Sequence, residues 1–337
     1  MITYLRFQNY RVLRNVELKL GRFTLLLGPN GSGKSTLLRG LRWMNQIVSG
    51  TYPSPQDSDR SVGLGKPSRV ELSLVWQDQV NFTFRYENDN SALHVRVSPG
   101  IFDENPSESE DRARDAVRRI RTFSLDPARI AQPVQIVPSA EIGEDGLNLA
   151  VVLTQLQDQH PQRFDALNED LKQWIPEFDR VLFYTPSAGN RAFSLRTAHG
   201  NHPIKAADLS HGTLLALCLL TFAHLPEPPS VICLEEPDRG IHPRLLRHVH
   251  DAMVRLSNPE SFGDNRRPVQ VIATTHSPYF LDSFREHPED VVLAEKQPNG
   301  ASFHRLTDMP HFKEIMGDAP LGDAWYTGIL GGVPTAP

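Results

Sequence analysis

Short alternating runs dominate the first hundred residues. In "MITYLRFQNYRVLRNVELKLG" apolar and polar positions alternate at Leu5 and Phe7, and again at Val16, Leu18 and Leu20, which predicts two strands joined by a turn. Phe23–Leu27 is a continuous apolar run, the pattern of a buried strand. Beyond it Leu37, Leu38, Leu41, Met44 and Ile47 recur at helical spacing, so a helix is expected from Ser35 to about Val48. Residues 51–68 are rich in Pro, Ser, Gly and Asp and read as a mobile surface loop. Alternation returns in "RVELSLVW", "VNFTFRYE" and "ALHVRVSP", with turn formers between them, and predicts an antiparallel meander.

The middle of the chain changes period. Residues 139–178 read as helical: Leu147, Val151, Leu153 and Leu156 could line one face, Pro161 marks a break, and Phe164, Leu167, Leu171 and Trp174 continue at helical spacing. A strand is expected near Arg180–Tyr184, then a strongly apolar helix in "LLALCLLTFAHL", and buried strands at Val231–Leu234 and Val269–Ala273. Ahead of this region "ENPSESEDRARDAVRRIR" mixes both charges and reads as a loop running into a polar helix. Arg112, Arg114, Arg118, Arg119 and Arg121 are therefore a solvated face before they are a nucleic-acid patch. No internal repeat and no sustained heptad pattern is present.

Composition adds bounds. A chain of 337 residues can form one large α/β domain with insertions, or two domains. Its 39% apolar and 22% charged residues are ordinary for a globular protein. The net charge of −5 does not suggest a general nucleic-acid binder, although a local basic patch is compatible with it. Cys218 and Cys233 lie in apolar stretches and read as buried thiols of a reducing compartment. No stretch reaches 18 uninterrupted apolar residues and no signal-peptide pattern opens the chain, so a soluble cytoplasmic protein with no membrane partner is expected.

Three strand ends carry candidate chemistry. "GPNGSGKST" at 28–36 places a glycine-rich turn between a strand and a helix, the order that G-x-x-x-x-G-K-[ST] requires. Backbone N–H groups of such a loop and of the helix N-terminus point at phosphate oxygens. Lys34 would reach β/γ-phosphates, the Ser35 hydroxyl Mg²⁺, and Thr36 the α-phosphate. The strand "VICL" ends in Glu235 and Glu236; one can hold Mg²⁺ through water and the other polarise an attacking water. The third strand ends in Thr274, Thr275 and His276. Ser210, ahead of the apolar helix, reads as an N-cap on local grounds. His199 and His202 lack further ligands and read as a polar loop. No G-x-S-x-G elbow or recognisable cysteine nucleophile is present.

Five motifs in this order, "GPNGSGKS" (Walker A), "LSHGT" (signature), "VICLEEP" (Walker B), "DRG" (D-loop) and "TTHSP" (H-loop), resemble the ABC-type ATPase superfamily. The phrases "EEPDRGIHPRLL" and "ATTHSPYFLD" and the opening "LRFQNYRVLRNVELKLG" are more closely similar to its non-transporter branch, the RecF/SMC-like heads and the bacterial AAA_21 ATPases. The resemblance spans residues 2–284 and is weaker in the helical middle. It implies an α/β P-loop NTPase of ABC-ATPase type, with a mixed central sheet, an antiparallel β meander and an inserted helical subdomain. It further implies a nucleotide-binding lobe over 1–100, a helical insert over 101–208, and a lobe over 209–337 carrying signature, Walker B, D-loop and H-loop.

The resemblance also implies ATP and Mg²⁺ as cofactors and a role for each position. Gly28, Pro29, Asn30, Gly31, Ser32, Gly33, Lys34, Ser35 and Thr36 would wrap the phosphates, with Ser35 on the metal. Glu235 stands where the superfamily usually has Asp and would hold Mg²⁺ through water. Glu236 would be the general base or water-orienting residue, and His276 would contact the γ-phosphate. Ser210 and Gly212 would meet the γ-phosphate of a nucleotide held by a second subunit, with Asp238 at the dimer seam. Arg11 or Arg14 matches the family's N-terminal basic position near the nucleotide. His211 departs from the usual signature, and Gln79, Gln132 and Gln135 remain alternative Q-loop residues.

With one Walker A and one signature, the chain is expected to need a second copy of itself, two ATP molecules closing a two-fold dimer. The resemblance implies an ATPase that manages DNA or a DNA-acting or anti-phage defence partner. Without a coiled-coil arm or further segment, nuclease or effector activity is expected from a separate protein, and DNA is a candidate ligand. The alternative is a nucleotide-sensing switch of little turnover that holds an effector inactive. A transporter's ATP-hydrolysing subunit is disfavoured by the meander, the "EEP" and the "LSHGT".

Overall fold

The computed structural model describes residues 1–51, 69–77, 79–87, 92–99, 106–310, 312, 314 and 320–331. The loop expected over 51–68 lies, beyond Thr51, outside the described residues. The chain divides into two compact units. The first comprises Met1–Thr122, Pro229–Cys233 and Val269–Pro337, and the second Phe123–Pro228 and Leu234–Pro268.

The first unit is built on two sheets. Strands β1 (Ile2–Tyr10), β2 (Leu13–Lys19), β4 (Arg69–Trp76), β5 (Val80–Glu87) and β6 (Ala92–Pro99) pair antiparallel in the order β2-β1-β4-β5-β6. This is the expected meander, extended by the opening hairpin. Its alternation has the expected cause: Leu5, Phe7, Leu72, Leu74, Phe82 and Phe84 are all fully buried on one face. A second sheet has the order β15-β14-β3-β13-β12-β7. Its members are β3 (Phe23–Leu27), β7 (Ile120–Phe123), β12 (Val231–Glu235), β13 (Gln270–Thr275), β14 (Val291–Gln297) and β15 (Gly300–Arg305). It is mixed: β3 runs parallel to β13 and β14, while β15 returns antiparallel on β14.

Helix α1 (Lys34–Val48) follows β3 and buries Leu37, Leu38, Leu41, Met44 and Ile47 in one cluster with residues of both sheets. Hydrophobic transfer of such side chains, about 1.5–3 kcal/mol each, is the main force holding the layers. Helix α2 (Pro106–Arg118) is polar, as its charge pattern predicts. Arg112, Arg114 and Arg118 pair with Glu108, Glu110 and Asp115 along its surface, and only Ser109, Ala113 and Val117 are buried. Gln270, itself buried, ties three chain segments together. Its side chain accepts from Ile2 N–H at 2.8 Å and donates to the Ile2 and Gly21 carbonyls at 2.7 and 2.8 Å.

The second unit holds the helices α3 (Pro127–Ile130), α4 (Leu149–Gln159), α5 (Pro161–Trp174), α6 (His211–His224) and α7 (Leu246–Ser257). It also holds a small antiparallel sheet that the sequence pattern did not reveal beyond its first long strand: β8 (Val134–Gln135), β9 (Phe178–Tyr184), β10 (Asn190–Thr197) and β11 (Pro203–Lys205). The expected helical stretch 139–178 is corrected at its start. Residues 139–148 are irregular, with Gly146 at φ 88° and the Asp145 side chain accepting from Leu147 N–H, so the local turn chemistry defeats the helix. Pro161 breaks the two helices as expected, occupying the first turn of α5, where its missing N–H costs nothing. Helix α6 is apolar all round and accordingly buried all round.

Asp170 of α5 links three helices of this unit. Its carboxylate lies 2.8 Å from His224 Nε2 and accepts from Arg255 Nη1 at 3.1 Å. Burial alone would raise the Asp170 carboxyl; the hydrogen bonds and charges of His224 and Arg255 outweigh it and hold the group below the usual carboxylate range. The stability it contributes is fully present above the unfolded carboxylate value of about 3.9 and is lost as pH falls through the depressed folded value. Asp170→Asn is expected to cost about 2 kcal/mol at pH 7 and to flatten the acid limb of stability below about pH 4, read by urea unfolding across pH.

Candidate functional site

The register of the mixed sheet sets the site. Leu27 pairs with Thr275 on one side and with Leu293 on the other, so β3 and β13 finish at one edge while β14 runs on past them to Gln297. Ligands of parallel sheets bind there, because loops and helix N-termini converge at those ends. Gly28, the first residue past β3, donates its N–H to the Thr275 carbonyl at 3.3 Å. It also lies so close to the Ala294 carbonyl of β14 that a Cβ would collide with that oxygen. No residue but glycine fits this close approach.

The turn then runs outward and back. Asn30, Gly31 and Ser35 are exposed, whereas Ser32 and Lys34 are buried. Gly33, at φ 98°, enters α1 in the left-handed region, a conformation cheap only for glycine. The Lys34 ammonium folds back over the loop and donates to the Gly28 and Pro29 carbonyls at 2.6 and 2.9 Å. Ser32 Oγ is buried without a hydrogen-bond partner. A buried ammonium, an unmet hydroxyl and the N-terminal amides of α1 form a donor set that a polyphosphate satisfies.

Two further elements of the first unit border this loop. The β1–β2 turn, with Arg11 at φ 50°, places Val12 and Leu13 against Gly33. Arg11 is half-buried in that turn, while the stem of Arg14 packs on Gly300. His276 is exposed directly after Thr275, beside the start of the phosphate loop.

The second unit carries the remaining predicted residues. Ser210 caps α6: its Oγ accepts from Thr213 N–H at 3.1 Å and lies 2.8 Å from Thr213 Oγ1. Gly212 backs onto the turn after β12, where a Cβ would sit 2.9 Å from the Gly240 carbonyl. Signature and D-loop are thus held in direct contact. A cavity of about 640 Å³ opens here, lined among others by Trp174, Ser210, Gly212, Gly240, His242 and Arg244. Trp174 stacks on His248 with ring centroids 5.6 Å apart. His211 is exposed and Asp238 buried.

Glu235 closes β12 half-buried. Glu236 follows at φ 45°, its carboxylate 4.0 Å from Arg239. A non-glycine residue in that region costs about 1–3 kcal/mol, a strain that concentrates at functional sites. Among the Q-loop alternatives, Gln79 lies in the β4–β5 turn, Gln132 accepts from Arg129, and Gln135 ends β8. His199 and His202 lie in the β10–β11 turn around Thr197, and among the described residues no cluster of three or more metal-ligating side chains occurs.

The family model described as "AAA domain, putative AbiEii toxin, Type IV TA system", AAA_21, matches residues 23–282. The chain belongs to the AAA_21 family. It is a P-loop ATPase of the RecF/SMC-like, non-transporter ABC type, as its motifs suggested. The OLD nuclease of Thermus scotoductus is 23% identical over 331 residues, covering 84% of this chain and 60% of the relative. An sn-glycerol-3-phosphate import ATP-binding protein, UgpC of Brucella abortus, is 33% identical over 90 residues, 26% of this chain and 25% of that protein. The chain thus spans less than two thirds of either relative. A crystal structure of an SMC head bound to the C-winged helix domain of ScpA shares the fold at TM-score 0.62 and 13% identity, covering 90% of this chain and 96% of that one. The SMC head domain from Thermotoga maritima does so at TM-score 0.53 and 14% identity, covering 90% and 98%. No helix among the described residues is long and apolar enough to cross a membrane.

Sequence reasoning missed the groups that brace the AAA_21 phosphate loop from outside its motifs. Ala294 backs Gly28; the run "VVLA" at 291–294 carried a buried-strand signal, but nothing local tied it to the loop. Gly28→Ala should displace the loop from β14 and weaken binding of a fluorescent ATP analogue at least about tenfold, while circular dichroism shows the fold retained.

Proposed function

We propose that this chain binds and hydrolyses ATP with Mg²⁺, and that two copies close head-to-tail around the nucleotide. The single observation that carries the reading is the phosphate loop at the edge where β3 and β13 end together beside β14, with the Lys34 ammonium buried in it. When ATP binds, Lys34 exchanges two neutral carbonyl acceptors for charged phosphate oxygens, which are stronger partners. The N-terminal amides of α1 stabilise charge that develops on the transferred phosphoryl group. Mg²⁺, held by Ser35 and through water by Glu235, would neutralise phosphate charge in the way such ions do. Glu236 accepts the proton of the attacking water or orients it. His276 contacts the γ-phosphate, and Arg11 lies near the nucleotide.

The signature residues Ser210 and Gly212 serve the nucleotide of the second copy, with Asp238 at the seam. Ser210 is presented at a buried helix's N-terminus, and Gly212 is braced by the D-loop. Loss of the γ-phosphate on hydrolysis removes the group that favours the closed dimer, so the cycle opens and closes the pair. The work done by that motion falls to a separate effector. The similarity to a protein called OLD nuclease, and to an SMC head bound to ScpA, favours a DNA-processing or defence partner. The arginines of α2 that pair with Glu108, Glu110 and Asp115 do not by themselves suggest a DNA groove.

Glu236→Gln is expected to lower ATP turnover about 10²–10⁴-fold and to accumulate an ATP-bound dimer by light scattering. A nucleotide-sensing switch of little turnover would behave alike with and without this carboxylate. Lys34→Ala and Ser210→Arg should each abolish hydrolysis. Mixing the two variants should restore about a quarter of wild-type activity, because half of the dimers then contain one intact composite site; no recovery on mixing would exclude the shared site.

A further inference from the structure

Residues 320–331 contribute a short helix, α9 (Leu321–Tyr326), and a following turn, both beyond the stretch that matches the family. Leu321, Ala324 and Leu330 are buried, so the segment is anchored to the first unit. It packs on α8 (Pro278–Leu281), the helix that begins two residues after His276. Gly322 makes that contact: its N–H donates to Asp282 Oδ1 at 2.7 Å, and a Cβ there would meet the Pro278 carbonyl at 2.5 Å. Trp325, half-buried, then donates its indole N–H to the His276 carbonyl at 3.3 Å. Further on, Gly331 meets the Glu295 carboxylate, one residue past the Ala294 that backs Gly28. The segment therefore reaches both strands that flank the phosphate loop, just past the end of β13 and within β14.

The consequence follows from peptide geometry. A hydrogen bond to a carbonyl fixes the plane of the peptide that follows it, and with it the direction in which the preceding Cα presents its side chain. Further bonds of this turn fix Thr275 and Ser277. Thr275 O accepts from Gly28 N–H, Thr275 Oγ1 accepts from Ser277 N–H at 3.0 Å, and Ser277 Oγ accepts from Phe280 N–H at 3.4 Å. Trp325 acts on the residue between those two. We propose that Trp325 is a positioning residue for His276, so that segment 320–331 sets how well the site distinguishes a triphosphate from a diphosphate. This rests on the reading above that His276 meets the γ-phosphate.

The test uses the full chain carrying Glu236→Gln, to prevent turnover, and compares Mg-ATP with Mg-ADP affinity by isothermal titration. His276→Ala defines the loss of the γ-phosphate contact: ATP affinity falls and ADP affinity holds. Trp325→Phe, which keeps the ring and removes the donor, should weaken ATP about fivefold, the worth of one neutral hydrogen bond, and leave ADP unchanged. Gly322→Ala, which must push α9 off Pro278, should do the same. Equal weakening of ATP and ADP by Trp325→Phe, with its melting temperature lowered, would make the indole mere structural support and overturn the proposal. So would an unchanged ATP-to-ADP ratio in both variants beside a lowered one in His276→Ala. If His276→Ala itself leaves the ratio unchanged, the assignment of His276 to the γ-phosphate fails first, and the proposal fails with it.

Discussion

The parallel pairing of β3 between β13 and β14 is the constraint on which the rest depends. Because Leu27 is level with both Thr275 and Leu293, the chain leaves the sheet from β3 and β13 at one edge, while β14 continues alongside the loop. The loop after β3 is then pressed between the Thr275 carbonyl, which takes its N–H, and the Ala294 carbonyl, which leaves no room for a side chain. A shift of one residue in either pairing would turn the strand's side chains to the opposite face and carry the loop off its neighbours. The buried run Phe23–Leu27, covered on both faces, makes such a slip costly in hydrophobic free energy.

The residues given proposed roles fall in both units. Phosphate loop, Arg11 turn and His276 belong to the first; signature, Glu236 and D-loop belong to the second. Each group is internally braced. In the first, Val12 and Leu13 pack on Gly33. In the second, Gly212 packs on Gly240, and Ser210 is locked to Thr213. Glu236 is held in a left-handed conformation that a free chain would avoid, so the fold around it contributes the energy that keeps it there.

Legibility in the sequence tracked how local each signal was. The meander was readable because alternation at Leu72, Leu74, Phe82 and Phe84 is a two-residue period expressed within each strand. The turn at Pro161 was readable because proline's missing N–H acts on its own helix. Residues 139–148 misled, since Gly146 N–H donates to the Gly143 carbonyl and Leu147 N–H to the Asp145 carboxylate, in a turn that helical periodicity does not register. Strands β10, β14 and β15 escaped notice; β10 and β15 form hairpins with their chain neighbours β9 and β14, and only the pairing of β14 with β3 joins distant segments.

By itself, then, the sequence determined the phosphate loop, the signature cap, the paired carboxylates and the family, because each is a contiguous arrangement whose chemistry lives within a few residues. Only the tertiary structure decided which backbone oxygen crowds Gly28, which turn covers Gly33, and that an indole 49 residues away in the chain holds the His276 carbonyl. Those contacts are made by strand register and by packing of distant segments. Their free energy depends on three-dimensional proximity, which no local spacing of residue types encodes.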